Sequence, residues 1–129
     1  MATVCLKLFQ ITQPDFAIFG EKDFQQLQIV KKLVSKNNMP INVIGCPISR
    51  EPNGLAMSSR NERLNTEDKE KAAFIYKTLQ EARKMFKNES ISSVTQYVKE
   101  AFAAHPEFAM EYFEIAAEDD LVPAVVKEN

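Results

Sequence analysis

At 129 residues the chain has material for one ordinary domain or for a piece of a larger one, and 45% hydrophobic with 26% charged residues excludes wholesale disorder. With 16 basic and 18 acidic residues the formal charge is −2, which gives no electrostatic reason to expect nucleic acid or an anionic membrane as partner. No apolar run is long enough to span a bilayer and no secretory signal opens the sequence, so the cytoplasm is the default location. Cys5 and Cys46 stand apart in apolar surroundings and read as two reduced, buried thiols rather than a disulfide.

In chain order, Val4, Leu8 and Ile11 share one helical face, although Val4, Leu6 and Leu8 also alternate as a strand would, and Gln13-Pro14-Asp15 ends that element because the residue before a proline resists the α region. Phe16-Ala17-Ile18-Phe19 is a short, wholly apolar run closed by Gly20, the pattern of a buried strand. A helix then opens at Asp23, a good N-cap with Gln26 at the capping-box position, and Leu27, Val30, Leu33 and Val34 make its inner face. Asn37 and Asn38, with Pro40 behind them, end it, and residues 41–48 form a second apolar strand. Strand, tight turn, helix and strand within about 33 residues is the length of a βαβ unit, which predicts a parallel pair. In such sheets ligands gather beyond the carboxyl ends of the strands, so the polar stretches 20–23 and 49–61 are expected on one edge.

Beyond that loop Asn65 or Thr66 caps a long helix whose stripe is Ala72, Ile75, Leu79, Ala82 and Phe86. Asn88-Glu89-Ser90 connects to a further helix that turns Val94, Tyr97, Val98, Ala101 and Phe102 inward and stops before Pro106, and residues 110–117 read as a strand. The fold class is therefore α/β: a partial, Rossmann-like parallel sheet from one βαβ half, then a small α+β domain, with the boundary near residue 50. Both ends read as cut, since an apolar pattern starts at Val4 and another, Leu121 to Val126, runs almost to Lys127-Glu128-Asn129.

Two stretches could carry chemistry. Gly20, Glu21, Lys22 and Asp23 occupy a strand-to-helix turn, where free N–H groups and the positive end of the helix dipole favour an anion and Lys22 adds a point charge. The alternative is an ordinary turn with a capping Asp and a solvated Lys, with Gln26 returning a capping hydrogen bond and Gln25 on the surface. Met57, Ser58, Ser59, Arg60 and Asn61 offer hydroxyls, a guanidinium and an amide in one run, suited to phosphate, or else form a solvated linker that Gly54 helps to turn. Arg50 and Glu51 read as exposed charges that pair with each other or with neighbours, at little energetic worth. His105, alone beside Pro106, suits a helix end better than a metal ligand or base.

Phe19-Gly20-Glu21-Lys22-Asp23-Phe24-Gln25-Gln26-Leu27 and Gly45-Cys46-Pro47-Ile48, followed by Arg50-Glu51 and Gly54-Leu55-Ala56-Met57-Ser58-Ser59-Arg60-Asn61, resemble pantothenate synthetases, the pantoate–β-alanine ligases. The resemblance runs from about Ala2 to about Leu121 and covers only the carboxy-terminal half of the family. It implies an ATP-dependent ligase with Mg2+ accompanying the nucleotide, in which pantoate is adenylated with release of pyrophosphate and β-alanine then displaces AMP. It further implies that Gly20, Glu21, Lys22 and Asp23 contact ATP, Lys22 at the phosphates and Asp23 at the ribose. Gln26 would contact pantoate and Ser49 the adenine through its backbone. Met57, Ser58, Ser59 and Arg60 would form the phosphate-binding loop, with Lys22, Ser58, Ser59 and Arg60 as the catalytic groups and no protein metal site. The family's His-x-Gly-His motif has no counterpart here, for His105 is the one histidine, so the chain alone is expected to be inactive. A homodimer is compatible with the resemblance. The rivals are another adenylate-forming nucleotidyltransferase and a non-catalytic folding or interaction module.

Overall fold

The computed structural model describes residues 1–126; the expected cut end at Lys127-Glu128-Asn129 lies outside them. The chain divides into two compact units, Met1–Ser49 and Arg50–Asn129.

The first unit begins with helix α1, Ala2–Thr12, which Gln13 ends in the left-handed conformation (φ 44°) with its N–H donating to the Phe9 carbonyl. Strand β1, Phe16–Gly20, follows, then one 3-10 turn, Glu21–Asp23, then α2, Phe24–Lys36, and strand β2, Asn42–Cys46. The strands pair in parallel, with Phe16 opposite Asn42 and Gly20 opposite Cys46. The expected βαβ order and its parallel pair are therefore present. Helix α2 buries Leu27, Val30 and Val34, three of the four residues its period picks out. Asn38, at φ 47°, closes α2 in a Schellman arrangement: its own N–H donates to the Ser35 carbonyl and that of Met39 to Val34.

Apolar pattern and burial part company elsewhere in this unit. The face expected to anchor α1 is the open one, with Val4 62%, Leu8 52% and Ile11 79% exposed. The core takes Phe9 and the half-buried Cys5 instead, packed with Ala17, Val30 and Val34. Helix α1 carries apolar residues on more than one side, so its period could not say which side turns inward. Likewise β1 is buried on one face only: Ala17 and the half-buried Phe19 join the core, whereas Phe16 and Ile18 are 61% and 66% exposed. Parallel sheets are ordinarily covered on both faces, and here α1 and α2 account for one. Both cysteines are free, but Cys46 is exposed, contrary to the buried thiol expected. It shares the open sheet face with Ile44, an alternate position of the same strand.

In the second unit a 3-10 turn, Ser59–Arg63, leads into α3, Thr66–Met85, and α4, Ile91–Ala103. Asn65 caps α3 by accepting from the Asp68 N–H at 2.8 Å, and Ser90 caps α4 by accepting from the Ser93 N–H at 3.0 Å. The buried face of α3 is Ala72, Ala73, Thr78 and Ala82; Ile75 and Leu79, expected inside, are exposed. Small residues permit close approach of a neighbouring helix, and α4 presents Val94 and Val98 to that side, as its period implies. Residues 110–117 form no strand. Their one ladder is an isolated antiparallel bridge, Ala116 to Pro123, framed by Ala117 N–H to the Val122 carbonyl and Ala124 N–H to the Ile115 carbonyl; the Val122 N–H, which would make the return bond, donates to Asp120 Oδ1 instead. Met110, Phe113 and Ile115 nonetheless pack on the Ala82–Val94–Val98 core. His105 sits just past α4, its ring 3.9 Å from that of Phe74 and its Nδ1 3.1 Å from Glu107 Oε1.

Leu27 is 2% exposed and lies against Gly45, where an added Cβ would meet its Cδ2 at 3.0 Å. Truncation of Leu27 to Ala is expected to cost about 2–5 kcal/mol, read as a lower urea midpoint of the first unit. The Glu107 carboxyl is held below its usual range, first by its own backbone N–H and then by His105. Its contribution is present above the unfolded carboxylate range and fades as pH falls through the lowered folded value. The thermal-stability gap between wild type and Glu107→Gln should therefore be visible at neutral pH and close in acid.

Candidate functional site

The parallel register fixes where the first set of polar residues lies. Because Gly20 is opposite Cys46, the turn after β1 and the chain leaving β2 toward Ser49 start from the same sheet edge. A Cβ added at Gly20 would meet nothing within 4 Å, so the space beside this backbone is open. Glu21, Lys22 and Asp23 form one 3-10 turn ahead of α2, and all three are exposed. Lys22 Nζ lies 3.7 Å from Asp23 Oδ1, a loose, solvated pair of small energetic worth. Asp23 stands at the N-cap position of α2, but its side chain makes no cap hydrogen bond. The capping-box reading of Asp23 and Gln26 thus fails: the backbone at Asp23 (φ −97°, ψ 61°) departs from the β-region conformation of a capping residue. Gln25 and Gln26 are both exposed on the first turn of α2.

The second set belongs to the other unit and is built differently. The stretch from Arg50 to Ala56 doubles back on itself: the two residues form an antiparallel bridge, and the Glu51 N–H donates to the Leu55 carbonyl at 2.8 Å. Gly54 N–H closes the turn on the Glu51 carbonyl at 2.8 Å, with Pro52 at the second position, where its fixed φ suits a turn. Gly54 has φ +96° and lies against the Tyr76 ring, where an added Cβ would come within 2.4 Å of Cδ1. Arg50 does not pair with Glu51. Its Nη1 donates to the Gly54 carbonyl at 3.1 Å and its guanidinium carbon sits 3.8 Å over the centroid of Tyr76, an interaction worth about 0.5–2 kcal/mol. Asn53 accepts from the Leu55 N–H at 3.0 Å and donates from Nδ2 to the Lys69 carbonyl of α3 at 3.3 Å.

From this base the chain runs to Met57, Ser58, Ser59 and Arg60. Ser58 Oγ accepts from the Arg60 N–H at 3.3 Å, capping the 3-10 turn, while the Asn61 N–H donates to the Ser58 carbonyl at 3.0 Å. Asn61 Nδ2 donates to the Ala56 carbonyl at 2.9 Å. Met57, Ser58, Ser59 and Asn61 line one open concavity of about 450 Å³ together with Glu51, Glu62 and Lys69. Arg60 is exposed and outside that lining. Among the described residues its guanidinium makes no ion pair, and no group of three His, Cys, Asp or Glu side chains could hold a metal. No described helix is long and apolar enough to cross a membrane.

Sequence reasoning found the hydroxyls and the guanidinium but missed their supports. Asn53-Gly54 is a recognisable turn dipeptide, whereas nothing in the pattern marks Tyr76 or Lys69, two positions of an amphipathic helix, as the floor beneath it. Gly54→Ala should destabilise the second unit by about 1–3 kcal/mol, through both the positive φ and the Tyr76 contact, measured as a lower urea midpoint.

The pantoate-beta-alanine ligase family matches residues 1–129. A pantothenate synthetase of Christiangramia forsetii is 48% identical over 129 residues, all of this chain but 46% of the relative. The crystal structure of pantothenate synthetase from Thermus thermophilus superposes with a TM-score of 0.89 at 38% identity, over 98% of this chain and 46% of that one. A pantoate-beta-alanine ligase from Francisella tularensis, complexed with beta-gamma ATP and beta-alanine, gives a TM-score of 0.59 at 39% identity, over 78% of this chain and 37% of that one. The chain thus spans less than half the length of the relatives it matches. Its sequence and its fold together make it a member of the pantoate-beta-alanine ligase family.

Proposed function

We propose that this chain contributes the nucleotide-handling part of an ATP-dependent pantoate–β-alanine ligase. Residues 1–50 are read as the later part of a Rossmann-like nucleotide-binding domain and residues 51–129 as the smaller domain that follows. In the reaction a pantoate carboxylate oxygen attacks the α-phosphorus of ATP, pyrophosphate leaves, and the β-alanine amine then displaces AMP from the pantoyl adenylate to form the amide. The first unit supplies Gly20, Glu21, Lys22 and Asp23 to the nucleotide, Lys22 at the phosphates and Asp23 at the ribose hydroxyls, with Ser49 at the adenine and Gln26 at pantoate. The second unit supplies Met57, Ser58, Ser59 and Arg60 to the phosphates. These groups do no covalent chemistry; they position the reactants and offset charge as pyrophosphate departs.

The observation that carries this reading is Asp23. It occupies a helix N-cap position without capping, exposed beside a Lys22 that is also exposed, and their loose pair is no structural duty that would explain either. Mg2+, where it enters, supplies charge neutralisation on the nucleotide's phosphates. A hard cation bound mainly by phosphate oxygens and water needs no three-residue protein cage, and none exists among the described residues. A homodimer and a cytoplasmic setting remain part of the same proposal.

Calorimetric titration with MgATP tests it. Wild type is expected to bind, and Lys22→Ala and Arg60→Ala each to weaken binding by about tenfold, the worth of one charge-assisted hydrogen bond. If both variants bind as well as wild type, the two polar stretches are a turn and a linker and the chain is a non-catalytic module. Given MgATP, pantoate and β-alanine, the chain alone should release little AMP. Turnover matching that of a full-length relative would show that it needs no further histidine-bearing half.

A further inference from the structure

The hydroxyls of Ser58 and Ser59 sit on a segment with a single short 3-10 turn of its own, yet a continuous path of contacts ties that segment to α3. The path starts at Tyr76, over whose ring the Arg50 guanidinium is stacked at 3.8 Å. Arg50 bridges to Ala56 through the backbone and holds the Gly54 carbonyl through Nη1. The Ala56 carbonyl then receives Asn61 Nδ2, and the Asn61 N–H donates to the Ser58 carbonyl. On the other side the Asn61 carbonyl accepts from the Leu64 N–H at 3.0 Å, which ends the turn. Tyr76 stands on α3, one turn before Gln80, whose Nε2 donates to its hydroxyl on the same helix.

We infer that Arg50 and Tyr76 are positioning residues, a cation–π clamp that seats the Asn53-Gly54 turn on α3 and through Ala56 and Asn61 fixes the shape of residues 58–63. The ring face, not the hydroxyl, does the holding, because both Arg50 and Gly54 contact the ring. The cation is part of the device: a neutral side chain at position 50 loses the attraction to the ring quadrupole and the charge-assisted bond to the Gly54 carbonyl. With the clamp closed, Ser58 and Ser59 meet an incoming anion already shaped. With it open, binding would first have to order them. The link to an anion rests on the phosphate-binding reading of residues 57–60, whereas the clamp itself does not.

Hydrogen exchange on the chain as it stands separates the two. In Tyr76→Leu and in Arg50→Gln, the amides of Gly54, Asn61 and Leu64 should exchange at least about tenfold faster than in wild type, while those of Ala82, Val94 and Val98 in the core keep their protection. Tyr76→Phe, which keeps the ring, should match wild type. Unchanged exchange at Asn61 and Leu64 in both damaging variants overturns the clamp. So does acceleration matched at the core amides, or failure of Tyr76→Phe to rescue. Should Tyr76→Leu not fold, Arg50→Gln, which leaves the α3 packing intact, decides alone. In the MgATP titration Tyr76→Leu and Arg50→Gln should weaken binding by about tenfold and Tyr76→Phe should not. Altered exchange with unaltered affinity overturns the positioning role. A wild-type chain that ignores MgATP overturns the phosphate reading, and the clamp then stands or falls on exchange.

Discussion

Two parallel strands cannot be joined by a tight turn; the chain must travel back the length of the sheet before it pairs again. That constraint organises the first unit. Helix α2 is the return path, and its buried Leu27, Val30 and Val34 make the return favourable by covering one face of β1 and β2. Because both strands then point the same way, Gly20 and Cys46 end side by side, and whatever follows either strand begins from one edge. The polar residues at 20–23 are therefore placed by the strand pairing, not by contacts of their own. Lys22 and Asp23 are left exposed at the mouth of a helix whose first N–H groups have no side-chain cap.

The second unit solves the same problem with opposite means. No sheet positions its polar segment; a turn stapled to a helix does. Pro52 fixes its own φ, Asn53 ties its side chain to the Leu55 N–H, Gly54 tolerates the positive φ the turn needs, and Arg50 adds a stacked cation that bonds back to the turn it belongs to. Side chains that hold a loop from beneath spend ordering entropy at folding instead of at ligand arrival, which is why such supports matter for affinity without touching a ligand.

What could be read from the residues follows the same division. Helix α2 was legible because a single apolar stripe, an Asn-Asn stop and a following proline agree with one another. The parallel pair was legible from element lengths alone. Helix α1 was legible as a helix but not in its orientation, because Val4, Leu8 and Ile11 compete with Cys5 and Phe9 for the same core and only tertiary contact decides between them. In α3 the small residues won the inside over Ile75 and Leu79, since close packing against Val94 and Val98 rewards fit more than bulk. Residues 110–117 put Met110, Phe113 and Ile115 on the core but make a single bridge, because the Val122 N–H turns to Asp120 Oδ1 and not back across the pair. Of the candidate site, the polar composition of the loop was visible and its floor was not, because Tyr76 meets Arg50 and Gly54 across more than twenty positions of chain.

The exposed Cys46 has a use that its small size conceals. It is register-paired with Gly20, on the strand end next to the Lys22–Asp23 turn, while Cys5 lies half-buried under Met1. Thiol reagents discriminate by accessibility, so one position of the native fold presents itself for attachment ahead of the other. A fluorophore or spin label carried there would stand at the mouth of the proposed nucleotide contacts, on a residue that is not itself one of them. The fold thereby comes with its own reporter site, at a distance from the turn set by a single pair of hydrogen-bonded strands.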